Sequence, residues 1–252
     1  MSSYRLPLRL IGQTLNVALI GVGGTGSAMA KELIQLDTCL RALDANSGLS
    51  VTLFDGRNVT EANIARQSFF PSQVGHNKAE ATVWTANNLY GKNWRAEGHL
   101  ESNAQLAGFD LIITALDRPS TRFEISRNAT HRTQLWLDMG NDATSGQIVC
   151  GELTLADKLL PNICDLYDYS QLSDEDADMK SCSADESITR QQLGVNQFAA
   201  RLGAQILWNL LRNGELEVHG AYFDCQSLHV DPIRVGEWQV FGYEPTSPEQ
   251  VH

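Results

Sequence analysis

Three glycines in fixed register, Gly21-x-Gly23-x-x-Gly26, carry the first chemical signal in this chain. Glycine permits a tight turn and lets a phosphate approach the backbone, and a helix starting there offers unpaired N–H groups to the anion. Asp55 ends a later apolar run, where a carboxylate can accept hydrogen bonds from ribose hydroxyls. This pattern alone serves NAD as well as ATP. Cysteine is the other reactive type: Cys39, Cys150, Cys164, Cys182 and Cys225 are widely spaced and form no CxxC pair. Structural zinc usually shows as two close ligand pairs, so no zinc is expected and the default reading is a reduced thiol. Cys182 stands apart, because Ser181-Cys182-Ser183-Ala184-Asp185-Glu186 is polar and precedes a predicted helix whose end would favour a thiolate. A covalent role there competes with a plain structural thiol.

The elements that must position these residues follow from periodicity. Residues 16–20 read as a strand that runs into the glycines, and residues 27–36 as a helix. Residues 41–48 are polar and read as a loop in the crossover to a second strand, 49–54, which ends on Asp55-Gly56. Helix is expected over 77–89, strand over 110–114, helix over 120–133 and strand over 135–139. Strands alternating with helices imply a Rossmann-like, doubly wound, mostly parallel α/β sheet. From residue 147 the pattern changes. Residues 147–155, 220–225 and 228–235 alternate like antiparallel strands, with an amphipathic helix over 189–211 between them. Residues 165–186 hold eight Asp and Glu against one Lys and read as a solvated crossover. The expectation is one domain over 1–252, with a nucleotide-binding core at about 12–140 and a β-rich, helical extension at about 141–240.

The formal charge of −11 argues against nucleic acid or an anionic membrane as partner, since both need many surface cations. The 42% hydrophobic content suits a packed core. No run approaches the about 18–20 apolar residues that span a bilayer, and no signal-peptide pattern is seen, so a cytoplasmic protein is expected.

After Asp55 the chain reads Asp55-x-x-x-Val59-x-x-x-Asn63-x-x-Arg66-Gln67, then Gly75-His76-Asn77-Lys78. Together with Gly24 and Ser27 in the glycine turn, these spacings resemble the ThiF/MoeB/HesA ubiquitin-activating-like family. Thr114-Ala115-Leu116-Asp117-x-x-x-x-Arg122 looks like a further family segment, with Arg118 where Asn is usual. Gly140…Gly146-Gln147 and Ser181-Cys182-Ser183 resemble later landmarks, so the resemblance covers about residues 12–235. Within the family the chain looks most like the ThiF-family protein of bacterial PRTRC gene systems, which travel with a small ubiquitin-like protein.

The resemblance implies a site and a reaction. ATP would sit on Gly21, Gly23, Gly24, Gly26 and Ser27, with Asp55 on the ribose and Asn63, Arg66, Gln67 and Lys78 toward the phosphates. Asp117 would ligate Mg²⁺, and Arg66, Lys78, Asp117 and Cys182, the last as a covalent thiol, would form the catalytic set. The reaction would be adenylation of the C-terminal carboxylate of a small ubiquitin-like or sulfur-carrier protein by a homodimer, with Arg5 or Arg9 reaching the other subunit's phosphates. Three features depart from the pattern: Arg57 replaces a second acid, the zinc CxxC pairs are missing, and the crossover before Asp55 is longer.

Plainer roles compete at each position. Asp55 could be a turn residue, Arg66 and Lys78 surface charges, and Asp117 the N-cap of the next helix. His76 reads as a loop residue, and Trp84, Trp94, Trp136, Trp208 and Trp238 as core or interface. Two rival functions remain, an NAD(P)-dependent oxidoreductase and a non-catalytic subunit that holds a ubiquitin-like protein.

Overall fold

The computed structural model describes residues 2–169, 174 and 192–244. In chain order the elements are β1 (Tyr4–Arg5), β2 (Thr14–Ile20), α1 (Gly24–Leu43), β3 (Gly48–Phe54), α2 (Glu61–Ile64), α3 (Lys78–Tyr90), β4 (Arg95–Glu97) and β5 (Leu111–Thr114). They continue with α4 (Pro119–Ser126), β6 (Gln134–Asn141), β7 (Ser145–Leu153), α5 (Ile163–Leu166), α6 (Val195–Asn213), β8 (Glu215–Leu216), β9 (Val218–Asp224) and β10 (His229–Arg234). The ordering β10-β9-β7-β6-β5-β2-β3-β4 makes one eight-stranded sheet. Strands β4, β3, β2, β5 and β6 are parallel, and β7, β9 and β10 continue antiparallel from β6. The expected fold class is the observed one.

The parallel strands are apolar on both faces because helices cover both. Val17, Leu19, Leu53, Leu111, Ile112, Ile113, Leu135 and Leu137 are all fully buried. Strand order reverses between β2 and β5, which stay parallel: from β2 the chain goes on to β3 and β4 on one side, then returns to β5 and β6 on the other. Ligands of such sheets bind in the crevice beyond the carboxyl ends of the strands at that switch point. Here the crevice is flanked by Gly21 after β2 and Ala115 after β5.

Several boundaries differ from expectation. Helix α1 runs on to Leu43, so the first three residues of the supposed crossover loop, 41–43, are helix. Buried Asp37 explains this, accepting bonds from Leu49 N–H (2.7 Å), Arg41 Nε (2.9 Å) and Lys92 Nζ (2.7 Å) and so tying the late turns of α1 to β3 and the end of α3. Helix α4 stops at Ser126 rather than near residue 133, where Asn128, Thr130 and Ser126 side chains take up backbone carbonyls. The short strands β1, β4 and β8 have too few residues to show a period. No helix among the described residues is long and apolar enough to cross a membrane.

Candidate nucleotide-binding site

The glycine turn is built by close approach. Gly21 has φ +85°, and a Cβ there would stand 2.5 Å from the Ala115 carbonyl oxygen, so the turn sits directly on the end of β5. A Cβ on Gly26 would stand 1.8 Å from the Gly21 carbonyl oxygen, so only glycine lets α1 leave the turn at this angle. Gly23 meets nothing within 4 Å, leaving the start of α1 open on that side. Gly24 faces Asn196 of α6.

Asp55 organises this turn from β3. One carboxylate oxygen accepts from Val22 N–H at 2.7 Å and the other from Arg57 N–H at 2.8 Å, while both keep free lone pairs. It is therefore more than a turn residue, because it ties β3 to the glycine loop. Its carbonyl accepts from Asn77 Nδ2 at 2.7 Å, and Asn77 Oδ1 caps α3 through Ala79 N–H (2.9 Å) and Glu80 N–H (3.1 Å). That cap fixes Lys78, the first residue of α3, against the loop after β3; its own N–H bonds the Arg57 carbonyl at 2.9 Å.

Lys78 is buried, with 6% of its surface exposed, which excludes a plain surface charge. Burial lowers its pKa and Arg57 adds to the effect, while the carboxylates of Asp55 and Asp117 pull it back up. The lysine thus feels acids from both flanks of the switch point. Asp117 is exposed in the loop after β5. It is not the N-cap of α4: Arg118 occupies that position, and helix residue Ser120 is bonded through its N–H (3.1 Å) and hydroxyl (2.5 Å) by Asp174. Those bonds, together with Arg118, hold the Asp174 carboxyl below the usual range.

Other positions have more local tasks. Ser27, buried at the start of α1, donates a hydrogen bond to the Gly24 carbonyl (3.1 Å) and accepts from Ser68 N–H (3.0 Å), which holds the segment after Gln67 against the glycine turn. Asn63 Oδ1 accepts from Thr60 N–H at 3.0 Å and shapes the turn that carries Arg66. Gln67 Oε1 is buried without a hydrogen-bond donor among the described residues. Arg122 is buried against Asp138, with Nε at 2.8 and 3.0 Å from its two oxygens and Tyr169 beneath the guanidinium at 5.7 Å. Burial opposes its charge, yet Asp138 and Tyr169 raise its pKa overall. Thr114 also bonds Asp138, so this pair locks α4 and the ends of β5 and β6 behind Asp117.

Three expectations fall elsewhere. Cys182, with its neighbours Ser181 and Ser183, lies outside the described residues. Arg9 pairs with Asp110 (3.2 Å) and also reaches the Thr133 carbonyl, at the opposite end of β5 from the glycine turn. Arg5 sits on β1, paired in register with Glu215 beyond the far end of α6. Burial pushes the Cys164 and Cys150 thiols each up to about 12, away from thiolate chemistry. Gly140 and Gly146 prove to be neighbours across the β6–β7 hairpin, where a Cβ on Gly146 would stand 2.6 Å from the Gly140 carbonyl.

Sequence reasoning missed a polar group beside the turn. Thr25 Oγ1 lies 3.0 Å from both Asn141 Oδ1 and Asn196 Oδ1, and Asn141 Nδ2 donates to Asn196 Oδ1 at 3.1 Å. No local pattern marks residues that lie 116 and 171 positions from Thr25. The group forms because α6 runs alongside α1 in the same direction, as the Arg201–Glu32 pair one to two turns later shows.

Comparison with known proteins agrees with this architecture. Ubiquitin-like modifier-activating enzyme 5 from rice is 27% identical over 154 residues, covering 53% of this chain and 34% of that protein. The mouse enzyme of the same name is 29% identical over 156 residues, covering 54% and 36%. The chain thus matches about a third of the length of these curated relatives. Among solved structures, E. coli MccB with ATP superposes with a TM-score of 0.61 at 14% identity, covering 90% of this chain and 65% of that one. PaaA gives 0.58 at 18% identity, covering 90% and 65%. These two share the fold. The ThiF family itself matches residues 11–237, a stretch holding every strand of the main sheet, and the chain belongs to that family.

Proposed function

We propose that this chain is a ThiF-type adenylation domain, spanning residues 1–252, that uses ATP to adenylate the C-terminal carboxylate of a small ubiquitin-like or sulfur-carrier protein. The observation that carries this reading is buried Lys78, gathered with Asp55 and Asp117 around a glycine turn at the switch point. A dinucleotide oxidoreductase has use for the glycines and Asp55 but none for a buried cation facing an acid from the other flank. The relatives' name, and a fold shared with a protein solved in complex with ATP, support the same reading.

The chemistry then follows from the residues. Asp55 accepts ribose hydroxyls with its remaining lone pairs, while the turn and the start of α1 receive the phosphates. Arg66 and Lys78 hold the triphosphate, Arg as a rigid fork and Lys as a point charge. An oxygen of the substrate carboxylate attacks the α-phosphorus, the bond from that phosphorus to the bridging oxygen breaks, and pyrophosphate leaves with the electron pair. The carboxylate is already ionised, so the protein need supply no base; its cations stabilise the charge of the in-line transition state. Magnesium fits here, because it takes one or two carboxylates with phosphates and exposed Asp117 offers one; when bound it neutralises charge on the leaving pyrophosphate.

The finer resemblance to PRTRC-system proteins makes a small ubiquitin-like protein from the same gene neighbourhood the first partner to try. Our reading includes a homodimer. With Arg9 engaged by Asp110, Arg5 is the better candidate for a cation supplied to the second copy. The test is ATP–pyrophosphate exchange with each candidate small protein and with its form lacking the last residue. Exchange that needs the intact C-terminus is expected; thermal stabilisation by NAD⁺ but not by ATP–Mg²⁺ would instead favour an oxidoreductase.

A further inference from the structure

Residue 24 is glycine for a reason that lies in another helix. A Cβ there would stand 2.6 Å from Asn196 Nδ2, 2.7 Å from its Cγ and 2.8 Å from its Oδ1. The amide of Asn196 therefore rests directly on the first residue of α1. Asn196 is the second residue of α6, only 8% exposed, and it brings a second helix N-terminus to the same place.

The orientation of this amide is fixed by what its oxygen does. Asn196 Oδ1 accepts from Asn141 Nδ2 at 3.1 Å, and the Thr25 hydroxyl lies 3.0 Å from Asn141 Oδ1. A directed chain results, Thr25 hydroxyl to Asn141 oxygen, then Asn141 amide to Asn196 oxygen. It ends on the Asn196 NH₂ group, which has no acceptor among the described residues. Each bond in such a chain polarises the next, so the terminal N–H is the better donor for it. The residue is nine-tenths buried, yet Nδ2 is not among its buried, unpaired polar atoms, so this one donor is presented to open space, where a ligand can meet it. Next to it is the open side of the turn, where Gly23 meets nothing within 4 Å.

We propose that Asn196 Nδ2 is a phosphate ligand of the glycine turn, donated across the fold by α6 and aimed by Thr25 and Asn141. This rests on the nucleotide reading above. It gives the C-terminal half of the chain a direct part in holding the nucleotide, and it makes Thr25 and Asn141 positioning residues.

The test compares wild type, Asn196→Asp and Asn196→Ala in calorimetric titrations with ATP–Mg²⁺, NAD⁺ and adenosine, with apo melting temperatures alongside. The Asp variant keeps the shape and the bond accepted from Asn141 but places a carboxylate oxygen where the donor stood. ATP affinity is expected to fall about tenfold or more in Asn196→Asp, the size of a lost hydrogen bond to a charged group. Adenosine affinity and apo melting temperature should stay near wild type. Thr25→Val should show a smaller loss in ATP affinity with the same adenosine affinity. Wild-type ATP affinity in a folded Asn196→Asp variant overturns the ligand role and leaves the adenylation reading standing. If wild type binds NAD⁺ and not ATP, the adenylation reading fails, and the same fold-change on NAD⁺ decides Asn196. Binding of neither overturns both.

Discussion

Single side chains decide how this site handles charge. Lys78→Ala and Arg66→Ala should each lose roughly a hundredfold or more in pyrophosphate exchange, the usual effect of removing one charge-stabilising contact to a transition state. Circular dichroism should show the fold intact, and near-normal exchange in both variants would remove these cations from the mechanism. Lys78 also sets a pH limit. Because burial lowers its pKa, it loses its proton at lower pH than a solvated lysine does. The alkaline limb of kcat/KM, which reports groups of the free enzyme, should begin below the ordinary lysine range. Lys78→Arg keeps its charge throughout, so whatever activity it retains should lack that limb; an unchanged profile would assign the limb elsewhere. At position 117 the geometry has already narrowed the choice, since Arg118 and not Asp117 is the N-cap of α4. Asp117→Asn should therefore leave the melting temperature unchanged and raise the Mg²⁺ concentration needed for exchange, because a hard cation prefers the charged carboxylate. Unaltered Mg²⁺ dependence would take Asp117 out of the metal site.

At the scale of elements, the glycine turn separates two constraints that the sequence writes with one letter. Gly26 is needed for α1 to pack on the turn, whereas Gly23 borders open space. Gly26→Ala should lower stability by a few kcal/mol, because backbone atoms would have to move to admit its Cβ. Gly23→Ala should cost less stability than Gly26→Ala, since its Cβ would meet nothing within 4 Å, yet weaken ATP binding by filling the open side. Equal melting temperatures for the two variants would contradict this division. The buried Arg122–Asp138 pair belongs to the same scale. It holds α4 to β6, and removing one partner typically costs about 3–5 kcal/mol by leaving the other charge buried alone.

Across the whole molecule, the antiparallel side of the sheet is closed by a histidine. His219 is fully buried; its Nδ1 bonds the Cys150 carbonyl at 2.8 Å, and its Nε2 accepts from Trp238 Nε1 at 2.8 Å. The ring is therefore neutral, and burial pushes its pKa down to about 4, against 6.5 in the open chain. Between those values the unfolded chain binds the proton and the folded chain does not. Stability is thus fully present above about pH 6.5 and falls as pH drops toward 4, by up to about 3 kcal/mol from this group. Denaturant midpoints of wild type and His219→Gln, measured from pH 7 to pH 4.5, should converge as pH falls. Parallel curves would show that His219 does not carry the effect.

The sequence by itself determined the parallel core, the glycine turn, Asp55 and the family spacings through Lys78 and Asp117. It could do so because these depend on short-range rules: apolar runs make buried strands, glycines admit close approach, and a motif keeps its spacing along the chain. It also carried the antiparallel change after residue 147, visible as alternation. The tertiary structure decided what depends on distant segments meeting. It showed that Gly24 yields to Asn196, that Asn77 rather than a phosphate contact fixes the start of α3, and that Arg9 serves the far end of β5. It placed Asp174 on Ser120, and it carried α1 to Leu43, into the start of the supposed loop, with buried Asp37 holding its last turns. The contacts of Gly24 with Asn196 and of Arg9 with Asp110 have no local signature, because residues more than a hundred positions apart leave no period in the sequence and meet only when distant segments pack together.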